Sequence, residues 1–420
     1  MGGLGSSCRR LIGLGKVAAA FLAVVALDAA AADAVDIPAV MRLTAEYWIA
    51  AESDGFLPYG FDFLADKPLE PDRMSAPNLV RQAVTSFAVA SYFDYSKDAR
   101  LRDPLRRSLS AYRRKSIPVG KGDAQRVLEN MRILSLPVAR WKLKTALDRF
   151  GLLYRPSGPG DLVSPNGKYD GAVAGGVALT LLTELVYSRA SGDDSFAESR
   201  RAWLHGLLSL RIPGGGFRQE PVSIDDSDYD NGEGWLALAV YADQHRDDTQ
   251  AAAELVNLDA ALLARYSESP TIKFLGWGGM AAAQRFSTTR DPRFLVYVQR
   301  QADAFVERFE RQTKLEDNNC ATLEGIAAML AVLAASGETD SKRVAALRSW
   351  SSREVAKLPR LQIQPGQQGM ALGGDAYLRN PHMASYAGGF LWSLQEPMTR
   401  VDAAAHCLSA MVTIERAHLH

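Results

Sequence analysis

Gly171-Ala-Val-Ala-Gly-Gly-Val-Ala-Leu-Thr-Leu-Leu-Thr-Glu-Leu-Val-Tyr187 is followed by a polar turn, Ser191-Gly-Asp-Asp194, and then by Phe196-Ala-Glu-Ser-Arg-Arg-Ala-Trp-Leu-His-Gly-Leu-Leu-Ser-Leu210. The first segment is apolar or small on nearly every face, the signature of a helix buried on all sides, and the last is amphipathic. The same plan returns at Leu275 to Phe286, Thr289 to Pro292 and Phe294 to Phe309. It returns again at Ala321 to Ala335, Gly337 to Asp340 and Val344 to Trp350. A helical hairpin written several times implies a closed or stacked α/α array with the small-residue helices inside.

Six segments qualify as inner helices: Leu79 to Tyr92, Gly171 to Tyr187, Gly232 to Ala242, Leu275 to Phe286, Ala321 to Ala335 and Val401 to Ile414. Amphipathic outer helices are expected at Arg102 to Arg113, Ala124 to Phe150, Phe196 to Leu210, Ala251 to Tyr266, Phe294 to Phe309 and Val344 to Leu358. Val40 to Ala51 would close the ring from the N-terminal side. The expected class is therefore all-α, an (α/α)6 toroid formed as a single domain over residues 33–420. The Gly- and Pro-rich pieces Arg155 to Asn166, Ile212 to Pro221 and Gln362 to Gly374 read as long rim loops with room for small β-ribbons.

Residues 1–32 read as a cleaved secretory signal. Arg9, Arg10 and Lys16 form a basic start, Val17 to Leu27 is an apolar run too short for a stable anchor, and Ala30-Ala31-Ala32 offers a cleavage site. No later run is long and uncharged enough to span a membrane, so the mature chain is expected in the periplasm or outside the cell. The 48 basic and 48 acidic residues balance. Without clustered Lys and Arg, nucleic acid is not the expected partner. After cleavage two cysteines remain, Cys320 and Cys407. They could pair in an oxidising compartment, but two buried free thiols are the preferred reading.

In such a ring all inner helices run the same way, so their N-termini share one mouth. The residues placed there are Asn78, Arg81 and Gln82; Tyr169 and Asp170; Asp225, Asp226, Asp228, Asp230 and Glu233; Lys273 and Trp277; Asp317, Asn318, Asn319 and Glu324; and His382, Tyr386, Arg400, Asp402 and His406. The densest stretch is Ile224-Asp-Asp-Ser-Asp-Tyr-Asp-Asn-Gly-Glu-Gly-Trp235. Asp230 or Asn231 can cap the following helix, and with Asp230 as cap Glu233 completes an imperfect capping box. Four aspartates exceed what one cap requires. No cofactor is expected, although Asp226, Asp228 and Asp230 leave calcium open; an EF-hand is disfavoured because Ala237 stands where its closing Glu belongs.

Hydrolysis of a polysaccharide needs a protonated carboxyl on the leaving oxygen and an ionised one opposite. Glu233 or Asp230 is the candidate acid, and Asp317 or Asp402 the candidate partner. Tyr169, Trp235, Trp277 and Tyr386 would stack on sugar rings, while Asp170, Asp228, Asn318, Glu324 and His382 would hold hydroxyls. His406, inside an apolar helix, reads as a core histidine. A uronate lyase or epimerase is the alternative: Tyr169, Tyr386, His382 or His406 would be the base, and Arg81 and Arg400 would neutralise the uronate. A third possibility is a non-catalytic glycan-binding or assembly protein of an envelope or exopolysaccharide system.

On Asn78-Leu-Val-Arg-Gln-Ala, Gly171-Ala-Val-Ala-Gly-Gly-Val-Ala-Leu, Gly214-Gly-Gly-Phe, Asn231-Gly-Glu-Gly-Trp-Leu-Ala-Leu and Arg400-Val-Asp-Ala-Ala-Ala-His-Cys-Leu-Ser-Ala, the chain resembles the six-hairpin glycosidase-like superfamily. The resemblance spans nearly the whole mature chain as architecture. It implies the toroid and carbohydrate chemistry as a class, and carries no specific catalytic motif.

Overall fold

Why the apolar segments become rods is visible in their surroundings: from Ala174 through Tyr187 every side chain is buried, so this helix has no solvent face to satisfy. The computed structural model describes residues 35–70, 76–119, 159–168, 171–221, 223, 225–373 and 376–419. The predicted signal, the predicted outer helix Ala124 to Phe150, and Tyr169 and Asp170 lie outside them.

The helices are α1 (Ile37–Ala51), α2 (Ala76–Ser96), α3 (Arg102–Arg114), α4 (Ala174–Ser191), α5 (Ala197–Ser209), α6 (Asp228–Gln244), α7 (Thr249–Glu268), α8 (Ile272–Thr289), α9 (Pro292–Ala304), α10 (Cys320–Ala335), α11 (Lys342–Leu361) and α12 (Val401–Ala417). The even-numbered ones form the inner ring. Its contacts run α2 to α4, α6, α8, α10, α12 and back to α2, which closes the circle. The odd-numbered ones pack outside, each against the inner helices beside it. This is the (α/α)6 toroid.

Small residues set the ring's diameter. A β-carbon on Gly325 of α10 would stand 2.7 Å from the Gly276 Cα of α8, so these backbones touch where any larger residue would separate them. Hairpins are tied by buried ion pairs such as Glu184 of α4, which accepts from the Arg200 guanidinium of α5 at 2.6 and 2.8 Å.

The rim carries short antiparallel strands. β1 (Gly60–Asp62) pairs with β2 (Lys67–Pro68) and, in the register Phe61 opposite Thr399, with β7 (Met398–Arg400), which feeds directly into α12. β3 (Ser116–Pro118) pairs with β4 (Asp161–Val163), and β5 (Gly369–Gly373) with β6 (Ala376–Arg379). Two of the three predicted rim loops thus hold ribbons, while Ile212 to Pro221 has only isolated bridges.

The preferred reading of the cysteines is overturned. Cys320 and Cys407 form a disulfide across α10 and α12, with 4.7 Å between their α-carbons. The physical reason is ring adjacency: Cys320 opens α10 and Cys407 lies in the second turn of α12, on the seam between these neighbouring inner helices. Replacing both by Ser should cost about 2–5 kcal/mol of stability, read as a lower thermal midpoint that reductant reproduces in the parent protein. Two thiols that titrate freely in the unreduced native protein would show that the bridge does not form.

Candidate functional site

The N-terminal halves of five inner helices and the residue capping the sixth open into one cavity of about 560 Å³, so these rods run the same way. Its wall includes Arg81 of α2, Val173 before α4, Asp230 and Glu233 of α6, Lys273 and Trp277 of α8, Glu324 of α10, and Asp402 and His406 of α12. Arg400, which ends β7, and Trp392 complete the side opposite α6. Phe87, Trp277 and His406 pack in sequence below, with ring centroids 6.2 Å apart at each step.

Local folding decides how Asp230 and Glu233 are presented. The cap of α6 is Ser227, whose hydroxyl accepts from the Asp230 N–H at 3.4 Å, and not Asp230 or Asn231 as the sequence suggests. The helix therefore starts three residues earlier, and Asp230 and Glu233 lie one turn apart on one face. That face meets the start of α4. Asp230 Oδ1 accepts from the Gly175 N–H at 2.6 Å, and a β-carbon on Gly175 would collide with the Glu233 carboxyl and stand 3.0 Å from Asp230 Oδ1. Glycine at position 175 is what lets two carboxyls share this corner.

Burial dominates their ionisation. Glu233 is 4% exposed, no described residue donates a hydrogen bond to its carboxyl, and burial with the neighbouring Asp230 charge holds its pKa well above the ordinary range. Burial also raises Asp230, to about 6, against the opposing effect of its bonds from Ser227 and Gly175. A pair of this kind loses one proton near neutrality and keeps the other.

Across the ring the acids are partnered. Asp402 accepts from Arg400 at 2.5 and 2.8 Å, and Arg81 Nε lies 3.3 Å away, so two cations flank one carboxylate. Glu324 Oε2 stands 2.6 Å from His406 Nδ1, while Glu324 Oε1 is buried and has no hydrogen-bond partner among the described residues. Burial opposes a charge on His406, but Glu324 outweighs it and the His406 pKa is raised.

The structure thus gathers Glu233, Asp230, Asp402, Arg81, Trp277, Asn318, Glu324 and Arg400 in one cavity and puts other candidates elsewhere. Asp317 forms an isolated backbone bridge to Ser393 and does not line it. Asp228 is turned to Tyr266 and Thr271, accepting at 2.8 and 2.9 Å, and Asp226 pairs with Arg265. Trp235 is fully buried against Phe274, donating to Asp259 at 2.7 Å, because its phase on α6 points outward. His382 packs by Phe61, and Tyr386 lines a separate cavity of about 390 Å³ with Tyr59. Sequence reasoning favoured His406 as a core residue, keeping it only as a possible base of the alternative, and missed Gln219 and Glu220 altogether. The loop carrying those two is strapped on by the Gln219 carbonyl, which accepts from the Ala174 N–H at 3.0 Å. Among the described residues, no three His, Cys, Asp or Glu side chains are grouped to hold a metal ion.

No family model matches the chain, and no curated protein matches it. Solved structures do. A GH76A α-1,6-mannanase from Salegentibacter sp. HEL1_6 superposes with a TM-score of 0.55 at 11% identity, covering 91% of this chain and 100% of that one. An inactive variant of that mannanase in complex with α-1,6-mannotetrose gives 0.57 at 10% identity, covering 92% and 100%. An unsaturated glucuronyl hydrolase specific for heparin gives 0.53 at 12% identity, covering 90% and 97%. These likenesses establish a shared six-hairpin fold.

Glu233→Gln tests the electrostatics directly. A carboxyl whose folded pKa is raised stabilises the fold below its unfolded value of about 4.3, and that contribution is lost as pH climbs toward the folded value. The variant should therefore unfold at an equal or higher temperature than the parent at pH 7, with the gap closing near pH 4. A variant much less stable than the parent at pH 7 would mean that Glu233 is held ionised by structural bonds.

Proposed function

We propose that the protein is an exported glycoside hydrolase acting on a poly- or oligosaccharide, with Glu233 as the proton donor. One observation carries this: a buried carboxyl to which no described residue donates a hydrogen bond, its pKa raised well above the ordinary range by burial and by the Asp230 charge, in a cavity lined by Trp277, Trp392 and Tyr229. Such a group can give its proton to a glycosidic oxygen at neutral pH. Indole and phenol faces suit the apolar faces of sugar rings.

The partner carboxyl on this reading is Glu324 of α10, which lines the same cavity. Asp402 is less suited, since its oxygens are engaged by Arg400 and Arg81. His406 holds Glu324 Oε2 and leaves Oε1 uncommitted. Glu233 would protonate the leaving oxygen as the bond from the anomeric carbon breaks. With inversion, water would add to that carbon as Glu324 takes its proton, and both carboxyls would then re-equilibrate with solvent. With retention, Glu324 would first bond that carbon as the leaving sugar departs, and water would then displace Glu324 and return its proton to Glu233.

Export is supported by the basic, apolar and small-residue pattern of residues 1–32 and by the Cys320–Cys407 bridge, which suits an oxidising compartment. No helix among the described residues is long and apolar enough to cross a membrane.

The test is product analysis after incubation with a glycan panel. New reducing ends are expected, with Glu233→Gln lowering kcat about 10²- to 10⁴-fold. Absorbance from an unsaturated uronate would select a lyase instead, and glycan binding with no product would select a non-catalytic role. A second expectation concerns Asp230→Asn: with the neighbouring charge removed, Glu233 should lose its proton more readily, so the alkaline limb of kcat/KM should move to lower pH. An unmoved limb would remove Asp230 from the proton-holding pair.

A further inference from the structure

The basic side of the cavity carries more positive charge than its own acid can balance. Asp402 faces both Arg400 and Arg81, and Lys273, which lines the same cavity, has no ion-pair partner among the described residues. Both guanidiniums are held in place. Arg400 lies 3.8 Å above the centre of the Trp392 ring, and Arg81 donates to the Tyr59 hydroxyl while lying over its ring at 5.5 Å. The bonds of Arg400 to Asp402 use Nε and Nη2, and those of Arg81 use Nε and Nη1. Arg400 Nη1 and Arg81 Nη2 therefore keep donors that no described residue accepts.

Side-chain exposure fits this arrangement. Arg81 and Arg400 remain 30% and 21% exposed, whereas Asp402 beneath them is 9% exposed. The carboxylate positions the two cations, and the cations face the cavity. Planar donors fixed in this manner match a carboxylate, whose two oxygens can accept one bond from each. A neutral glycan would leave one charge uncompensated in a half-buried wall.

We propose that the glycan handled in this cavity carries a carboxylate, a uronic acid residue, and that Arg81 and Arg400 bind it in the cavity they share with Glu233. This names the substrate class of the site and rests on the hydrolase reading for the chemistry alone, since the binding claim can stand or fall separately.

Calorimetry on the Glu233→Gln protein separates the two. The ligands are oligosaccharides from polygalacturonate, alginate and glucuronoxylan, each beside its carboxyl-reduced counterpart, with dextran sulfate as the sulfate arm. At least one uronate ligand should bind roughly tenfold or more tightly than its reduced form. Arg400→Gln and Arg81→Gln should each erase that preference while sparing the reduced ligand. Should either variant fail to fold, rising salt in the parent background serves the same end, weakening the uronate and not its reduced form. Equal affinity for acid and reduced forms, no binding to any uronate ligand, or preference for dextran sulfate alone overturns the proposal. Uronate binding without product from the parent enzyme leaves it standing and removes hydrolysis. Cleavage of neutral glycans without charge preference does the reverse.

Discussion

An inner helix buried on every side can exist only if neighbours cover it all round, and closing the ring is how six such helices cover one another. Closure fixes direction. Because an outer rod returns the chain between successive inner ones, the inner rods start at one rim, and their positive dipole ends lie on the side where the cavity opens. Carboxyls are drawn to such a place, as Asp230 is to the Gly175 N–H at the start of α4. Glu233, one turn deeper, receives no hydrogen bond from any described residue, and there desolvation and the Asp230 charge raise its pKa.

The rods and the rim they share were legible because small and apolar residues recur without an exposed face, which no amphipathic or stranded pattern imitates. Phase around each rod was harder to read. Trp235 and Trp277 both follow the start of an inner helix, yet one turns outward onto Phe274 and the other inward onto His406. A usable signal was present: Glu233 lies three residues after Asp230, and His406 four after Asp402, so each shares a helix face with a cavity acid. His406 was discounted because its neighbours Ala405 and Cys407 are apolar, which describes the other faces of α12 and not its own.

Boundaries also hid information. With Asp230 taken as the cap of α6, Glu233 would be spent on a capping box; with Ser227 as cap, both carboxyls are released into the cavity. Three residues of helix start separate a structural role from a chemical one. His382 and Tyr386 stand before α12 in sequence, but the β1–β7 pairing brings Met398 to Arg400 to the rim and leaves those two beside Phe61 and Tyr59. Strand pairing between residues more than three hundred positions apart leaves no local mark on the sequence. The disulfide is of the same kind, since only the order of rods around the ring makes Cys320 and Cys407 neighbours.

The buried acids sort themselves by what accompanies them. Glu184 has Arg200, Asp259 has Arg285 and the Trp235 N–H, and Asp402 has two arginines. Each of these is a charge taken out of water with its compensation supplied, which holds hairpins or side chains in place. Glu233 has no such company among the described residues, and burial there disfavours its charged form. Arginine neutralises the buried acids at three positions, and among the described residues it does not do so at this one. The two arginines around the single carboxylate of Asp402 are the complementary imbalance, so the cavity sets a buried acid with a raised pKa on one side and a surplus of guanidinium donors on another.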